Sequence, residues 1–117
     1  MPIKSASGLS EFWYTPEEEE GDENPTRFKL KPLSQFDLME VFMEGHWSDD
    51  GVFIANHRGC VIMLRKGLRD WEEFFDHNGE PIKFTRSNQN LIPAPVLIKI
   101  ANKIMNGSIV TDDEKKI

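Results

Sequence analysis

The stretch Trp71–Phe84, with the sequence WEEFFDHNGEPIKF, constrains the fold of this chain most strongly. Its Asn78-Gly79 pair lies between apolar residues, and Asn-Gly in that setting is the strongest short-range signal for a β-hairpin. A type I′ turn is predicted, because that turn needs a positive φ at both central residues. Pro81 has no N–H to donate to a ladder, so it should start the second strand or lie on an open edge. We therefore predict a central hairpin that acts as a scaffold between two helices.

The length and composition of the chain fit one small folded domain. Its 117 residues suffice for one domain and are too few for two. Hydrophobic residues make up 38% and charged residues 29%, which suits a small domain with solvated ends better than a disordered chain. We expect a disordered N-terminus over residues 1–10, a single α+β domain over residues 11–108 and a flexible charged tail over residues 109–117.

The charge and cysteine content narrow the classes of function. The net charge of −6 disfavours a nucleic-acid binder that neutralises phosphates, and it would steer a basic partner towards the protein. The single cysteine, Cys60, cannot form an internal disulfide, which favours a cytoplasmic protein. The first ten residues lack the apolar core of a signal peptide, and no apolar run has the length of a membrane span. We therefore expect neither a nucleic acid nor a membrane as partner.

Two segments near the N-terminus predict a pair of strands. Arg27–Lys31 alternates polar and apolar residues, which is the period of a half-buried strand. The aromatic triplet Phe12–Tyr14 precedes it, and we predict that the two segments pair. The acidic run Glu17–Glu20 between them should form a long exposed loop.

Two helices are predicted in the middle of the chain. The first should cover Gln35–Glu44, because Ser34 is a good N-cap and a glycine follows as a stop signal. Residues 46–51 are predicted to form a turn. The second helix should cover Val52–Lys66, although Gly59 inside it lowers its helix propensity.

The last helix has the clearest pattern. It should open at Pro93-Ala94-Pro95 and close at Asn106-Gly107, after a single turn through Asn90 that Thr85 or Ser87 caps. Five apolar residues recur at helical spacing along it: Leu97, Ile100, Ala101, Ile104 and Met105. Together with the strand pair and the central hairpin, the three helices predict a small α+β fold.

The histidines and carboxylates do not form a recognised metal-binding motif. None of His46, His57 and His77 has the spacing of zinc ligands. The segment Asp76–Glu80 is similar to part of a calcium loop, but it lacks the full alternation of oxygen ligands and the distal bidentate Glu. We expect a plain turn there, and neither a metal nor a cofactor in the protein.

No arrangement of residues in the sequence predicts catalysis. Cys60 and His57 are three residues apart on a predicted helix, but Cys60 lies on its apolar stripe, which favours a core cysteine over a reactive thiol. The carboxylates of Glu17–Glu20 lie in a solvated run, where nothing would shift their pKa values towards acid–base work. Nucleophile-elbow, Walker and dinucleotide-binding motifs are absent from the sequence. We therefore do not expect an enzyme.

Aromatic residues near the ends of predicted elements are the remaining candidates for function. Tryptophans at such positions are often half-buried clasps, and they are also enriched at interfaces. A core clasp is favoured for Trp71, and the two roles stay open for Trp13 and Trp47. The candidate partner-binding residues are Trp13, Tyr14, Phe42, Trp47 and Trp71.

The order of several motifs along the chain carries a further indication. The motifs are Phe12–Tyr14, Pro25–Leu33, the Gly-Leu-x-x-Trp of Gly67–Trp71, the Asp-x-x-Gly-x-Pro-x-x-Phe of Asp76–Phe84, the Leu97–Ile104 helix and a charged tail. In this order they resemble the small tail assembly chaperones of long-tailed bacteriophages and prophages. The resemblance covers about residues 11–115.

This resemblance implies a non-catalytic role in the cytoplasm of a bacterial host. Such chaperones bind the long, aggregation-prone tape measure protein and keep it soluble while tail tube subunits polymerise around it. The implied partners are the tape measure protein and possibly the tail tube protein. A homo-oligomer is expected as well, because several binding sites on one assembly raise its avidity.

Two other functions are compatible with the sequence. The first is a minor structural component of a phage tail or of a head–tail joint, which would remain in the virion. The second is an acidic inhibitor of a basic protein, which would use the net charge of −6 and would weaken sharply with salt.

Overall fold

The computed structural model describes residues 10–109, which form a small compact α+β domain. The strands are β1 (Phe12–Tyr14), β2 (Arg27–Leu30), β3 (Gly45–Trp47), β4 (Phe53–Ala55) and β5 (Leu68–Glu72). The α-helices are α1 (Gln35–Phe42), α2 (His57–Gly67) and α3 (Ala94–Ile109), and single 3-10 turns cover Glu17–Glu19 and Ser87–Leu91. The predicted fold class is thus confirmed.

The larger sheet has the order β1-β2-β5 and is antiparallel throughout. Tyr14 pairs with Phe28 in the predicted strand pair, which is confirmed. β5 was not predicted, and it pairs Trp71 with Phe28 on the other side of β2. The register shifts beyond Lys29, so that Leu30 pairs with Leu68. β2 is therefore the central strand, and its buried side chains anchor the core.

The prediction for residues 46–66 was wrong in its first half. The segment predicted as a turn and the start of the second helix forms a two-stranded hairpin of β3 and β4, which residues 48–52 connect. Gly51 has a φ of +82° in this connection, a conformation that glycine adopts without strain. α2 begins only at His57, after the Asn56 side chain accepts a hydrogen bond from the Gly59 N–H at 2.9 Å. Gly59 therefore lies in the first turn of α2, and the helix runs unbroken through it.

The other predicted helices are confirmed, but both end at other residues than predicted, and α1 ends at Phe42 rather than Glu44. The Ser34 side chain caps α1 by accepting a hydrogen bond from the Asp37 N–H. Thr85 caps the short turn before α3 in the same way, through the Asn88 N–H. α3 continues to Ile109 rather than closing at Asn106-Gly107.

The segment 74–84 folds back on itself as predicted, but its turn type differs. A bridge joins Phe75 to Pro81, and the Ile82 N–H donates to the Phe74 carbonyl at 2.8 Å. Gly79 has a φ of +78°, whereas Asn78 has no positive φ, so the turn is not type I′. The Asp76 carboxylate accepts hydrogen bonds from the backbone N–H groups that follow it, and these bonds stabilise the alternative turn.

The core lies where α2 and α3 pack against the larger sheet and α1 packs against α2. Its largest fully buried side chains are Phe28, Leu30, Met63, Ile100, Ile104 and Val41. α2 and α3 approach closely at Gly67, where an added Cβ would lie 2.7 Å from the Cδ1 of Ile104. The polar Ser108 is buried at the end of this core, where its hydroxyl donates to the Ile104 carbonyl and accepts from the Leu33 N–H.

The predicted disordered N-terminus and the predicted charged tail lie outside the described residues, apart from residues 10 and 109. Between those two residues, no helix combines the length and the hydropathy that a membrane crossing requires.

Candidate functional site

One side of α1 presents large apolar side chains to solvent. Phe36, Met39 and Met43 are 84%, 61% and 83% exposed. Their spacing of three and four residues places them on one face of the helix. Leu38 and Val41 point the other way and are buried in the core. α1 is therefore apolar on two sides, and only one of them serves the fold.

An aromatic cluster extends this surface beyond the end of the helix. The rings of Phe42, Trp47 and Phe53 pack with centroids 5.1 to 5.3 Å apart. Phe42 and Phe53 are half-buried, while Trp47 is 55% exposed. We call Phe36, Met39, Met43, Phe42 and Trp47 the apolar face. The β3–β4 hairpin is thus held against α1 in a position that extends the exposed helix surface.

Carboxylates border the apolar face. Glu40 lies about one helical turn after Phe36, and Glu44 directly follows Met43. Asp49 and Asp50 lie in the connection after Trp47. Glu44 is held by a 3.3 Å hydrogen bond from the Asn56 amide. The border therefore has a negative charge, which suits a partner with basic residues beside its apolar ones.

Trp13 and Tyr14, which were predicted as candidate contacts, have different environments. Trp13 is 40% exposed, and the Arg27 guanidinium lies 4.7 Å from its ring centroid. Tyr14 is only 9% exposed, and burial raises the pKa of its hydroxyl. The ring of Tyr14 belongs to the core, so it is not available to a partner in the described fold.

Trp71 is also a core residue, as the sequence favoured. It is 6% exposed and contacts the rings of Phe28, Phe74 and Phe84 edge to face. Of the five candidate residues, Phe42 and Trp47 lie together on the apolar face, Trp13 lies apart on β1, and Tyr14 and Trp71 are buried.

Phe36, Met39 and Met43 were not among the candidate residues. The sequence does hold a signal for them, because apolar residues cover more than half of the circumference of a helix of only eight residues. A surface helix normally shows one apolar stripe. A short helix with so wide an apolar surface beside a small core therefore indicates a second, unpartnered face.

In the described part of the chain, the potential metal ligands are scattered and the thiol of Cys60 is partly buried. Among residues 10–109, no three His, Cys, Asp or Glu side chains lie close enough together to hold a metal ion. Cys60 is half-buried against the core, and this burial raises the pKa of its thiol, which lowers its nucleophilicity at neutral pH.

The acidic run is tied to α3 at one point. Lys99 donates a 2.8 Å hydrogen bond to the Glu18 carboxylate. This bond lowers the pKa of Glu18 and raises the pKa of Lys99, and both side chains are exposed. The pair positions the loop against α3.

Comparison of the chain with protein-family models, curated protein sequences and solved structures found no match.

Proposed function

We propose that this protein is a non-catalytic tail assembly chaperone of a long-tailed phage or prophage, which binds the tape measure protein in the host cytoplasm. The motif order described above suggests the family, and the apolar face is the observation that carries the proposal. Such a surface on a small acidic protein is typical of a docking site. In the chaperone role, the tape measure protein would cover that surface.

The shape of the apolar face supports a helical partner. Phe36, Met39 and Met43 follow one helix side, so a second helix could lie along them and fill the spaces between their side chains. Methionine side chains are flexible and polarisable, and they adapt to different apolar partners. A chaperone that contacts many segments of one long helical protein needs that tolerance.

The charges around the apolar face favour a partner that carries basic residues. Glu40, Glu44, Asp49 and Asp50 border it, so a bound helix would gain from Lys or Arg on either side of its apolar stripe. Glu40, Asp49 and Asp50 are exposed, so their charges would act mainly on the association rate and on the choice of partner. The apolar contacts would supply most of the affinity.

Co-expression tests the proposal. The tape measure protein encoded in the same phage or prophage would be produced with and without this chain, and its soluble fraction measured. We expect the chain to raise that fraction and to co-purify with the tape measure protein. An unchanged soluble fraction would contradict the proposal, as would a genome that encodes no tail proteins near this chain.

Mass spectrometry of purified virions separates the chaperone from a structural tail component. A chaperone leaves before the tail is complete, so the chain should be absent from virions that contain the tail tube protein. Its presence at stoichiometric levels would favour the structural role.

A further inference from the structure

A basic cleft lies on this acidic protein, and Glu40 of α1 lies between it and the apolar face. Its larger part, with a volume of about 610 Å³, lies between the last turn of α2, the start of β5 and the segment before α3. A smaller part of about 340 Å³ shares Arg65, Lys66 and Arg69 with it. The ionisable residues that line the two parts are Lys31, Arg65, Lys66, Arg69 and Arg86, with Asp37 and Glu40.

Only part of this positive charge is neutralised within the described residues. Lys66 pairs with Asp37 at 3.2 Å, and Arg69 pairs with Glu11 at 3.4 Å. Lys31, Arg65 and Arg86 form no ion pair among residues 10–109. Five basic residues and two carboxylates leave the lining with a formal charge of +3. Gln89 and the apolar side chains of Ile62, Leu68 and Phe84 form the rest of the larger part.

The acidic loop, residues 17–23, has the opposite charge and is exposed. It carries six carboxylates, of which Glu18 is paired with Lys99 and Glu19 accepts a hydrogen bond from Thr26. The other four, Glu17, Glu20, Asp22 and Glu23, are exposed and form no ion pair among the described residues.

The loop and the cleft lie at opposite ends of the larger sheet. The loop leaves β1 after Tyr14 and enters β2 near Arg27, whereas Lys31 and Leu68 stand at the other end of β2 and β5. Four residues of extended strand separate Arg27 from Lys31, a distance of about 13 Å. Lys99 and Thr26 contact the loop at its own end of the sheet, so in this fold the loop lies away from the cleft of the same molecule.

We propose that the basic cleft binds the acidic loop of a second copy of this chain, which joins the copies head to tail. The two surfaces differ, so the contact is heterologous and leaves one free loop and one free cleft at the ends of each pair. Repetition of the contact forms a ring or an open filament. This proposal names the surfaces of the homo-oligomer, and it does not depend on the chaperone role.

Complementary charge reversal tests the contact. The loop variant is Glu17→Lys/Glu20→Lys/Asp22→Lys/Glu23→Lys, which leaves two carboxylates beside four lysines, and the cleft variant is Arg65→Glu/Arg86→Glu. Sedimentation velocity of the full chain at low salt should show self-association of the unmodified protein. Each variant alone should associate about tenfold more weakly or worse, because like charges then face each other. An equal mixture of the two variants should associate again, because the basic loop of one fits the acidic cleft of the other.

Two control variants reverse charges at other places. Glu73→Lys/Glu80→Lys reverses two exposed carboxylates outside the loop, the cleft and the border of the apolar face, and Arg58→Glu/Lys83→Glu matches the cleft variant with residues outside the cleft. Both controls should self-associate as the unmodified protein does. All variants keep the apolar face, so association through that face would not differ among them.

Several outcomes would overturn the proposal. One is an unmodified protein that stays monomeric at low salt, and another is a mixture of the reversed variants that does not associate. The variant Asp112→Asn/Asp113→Asn/Glu114→Gln tests the C-terminal residues as the occupant of the cleft. If this variant loses association and the loop variant does not, the C-terminal residues rather than the loop bind the cleft. Restored association in the mixture supports the proposal, as does a loss of association at about 1 M salt.

Discussion

The indole N–H of Trp71 donates a 2.7 Å hydrogen bond to the carbonyl oxygen of Ile82. This bond joins β5 to the returning side of the segment 74–84, and the rings of Phe74 and Phe84 pack around it. Trp71 therefore connects the larger sheet to the turn segment that leads into α3. Trp71 is a buried structural residue, whereas Trp47 is exposed on the apolar face.

The two tryptophans should respond differently to truncation. Trp71→Ala removes a buried ring and leaves the Ile82 carbonyl without its partner, so we expect a loss of about 3–5 kcal/mol in the free energy of unfolding. Trp47→Ala removes a ring that is 55% exposed and should cost about 1 kcal/mol or less. Urea denaturation followed by circular dichroism measures both. Similar losses for the two variants would contradict this assignment.

Gly59→Ala should destabilise the protein although alanine favours helices. A Cβ at Gly59 would lie 2.7 Å from the backbone carbonyl oxygen of Glu44 and 3.0 Å from the Cβ of Ala55. Because a backbone oxygen cannot rotate away, we expect a net loss of about 1–3 kcal/mol in place of the gain of about 1 kcal/mol from helix propensity. Arg58→Ala, an exposed change in the same turn, is the control and should be near neutral. A more stable Gly59→Ala protein would show that α2 does not approach the end of α1 so closely.

Cys60 should be slow to alkylate in the folded protein. Burial raises the pKa of its thiol, so less of the reactive thiolate is present at pH 8 than in an exposed cysteine. Iodoacetamide labelling followed by mass spectrometry should be clearly slower in buffer than in urea, and its pH profile should be shifted upwards. A labelling rate equal to that of the unfolded chain would indicate an accessible thiol.

The Glu18–Lys99 pair predicts a small pH dependence. The bond from Lys99 lowers the pKa of Glu18 in the folded state, so its stabilising contribution is present above the unfolded pKa and is lost as the pH falls through the folded pKa. Lys99→Gln should raise the pKa of the Glu18 carboxyl in an NMR titration. It should also reduce stability at neutral pH more than at pH 2. An unshifted Glu18 pKa in the variant would contradict the contact.

The elements that the sequence predicts correctly are those whose pattern is local. Ser34 and Thr85 form caps through hydrogen bonds within three residues, and the apolar stripe of α3 repeats over several turns. The β1–β2 pair is marked by the alternation in Arg27–Lys31, which lies beside an aromatic triplet. In these segments, local preference and tertiary packing favour the same structure.

The missed elements depend on partners distant in sequence. Leu68 and Trp71 in β5 are both buried although they are three residues apart, because the register shift beside Lys29 breaks the two-residue period of the strand. The segment around β3 and β4 combines turn residues with an apolar run, which continues without a break into the pattern of α2. Only the packing of Trp47 and Phe53 on Phe42 shows that a hairpin forms there.

The apolar face was predicted only in part for a related reason. The sequence shows that α1 is rich in apolar residues, but it does not show which side the core covers. Leu38 and Val41 turn inward in the fold, which leaves Phe36, Met39 and Met43 outside. The contacts of α1 with α2 decide this orientation, and they arise from the whole fold.

The most direct test of the account removes the apolar face without disturbing the core. The variant Phe36→Ser/Met43→Ser changes two side chains that are 84% and 83% exposed, so its stability should remain within about 1 kcal/mol of the unmodified protein. The control, Phe75→Ser/Ile98→Ser, changes two exposed apolar residues elsewhere on the surface.

The decisive measurement is the soluble fraction of the co-expressed tape measure protein with each of these chains. We expect the unmodified chain and the control to keep it soluble, and the folded Phe36→Ser/Met43→Ser variant to leave it insoluble. If that variant keeps the tape measure protein soluble as well as the unmodified chain does, the apolar face is not the binding site and the central claim is wrong.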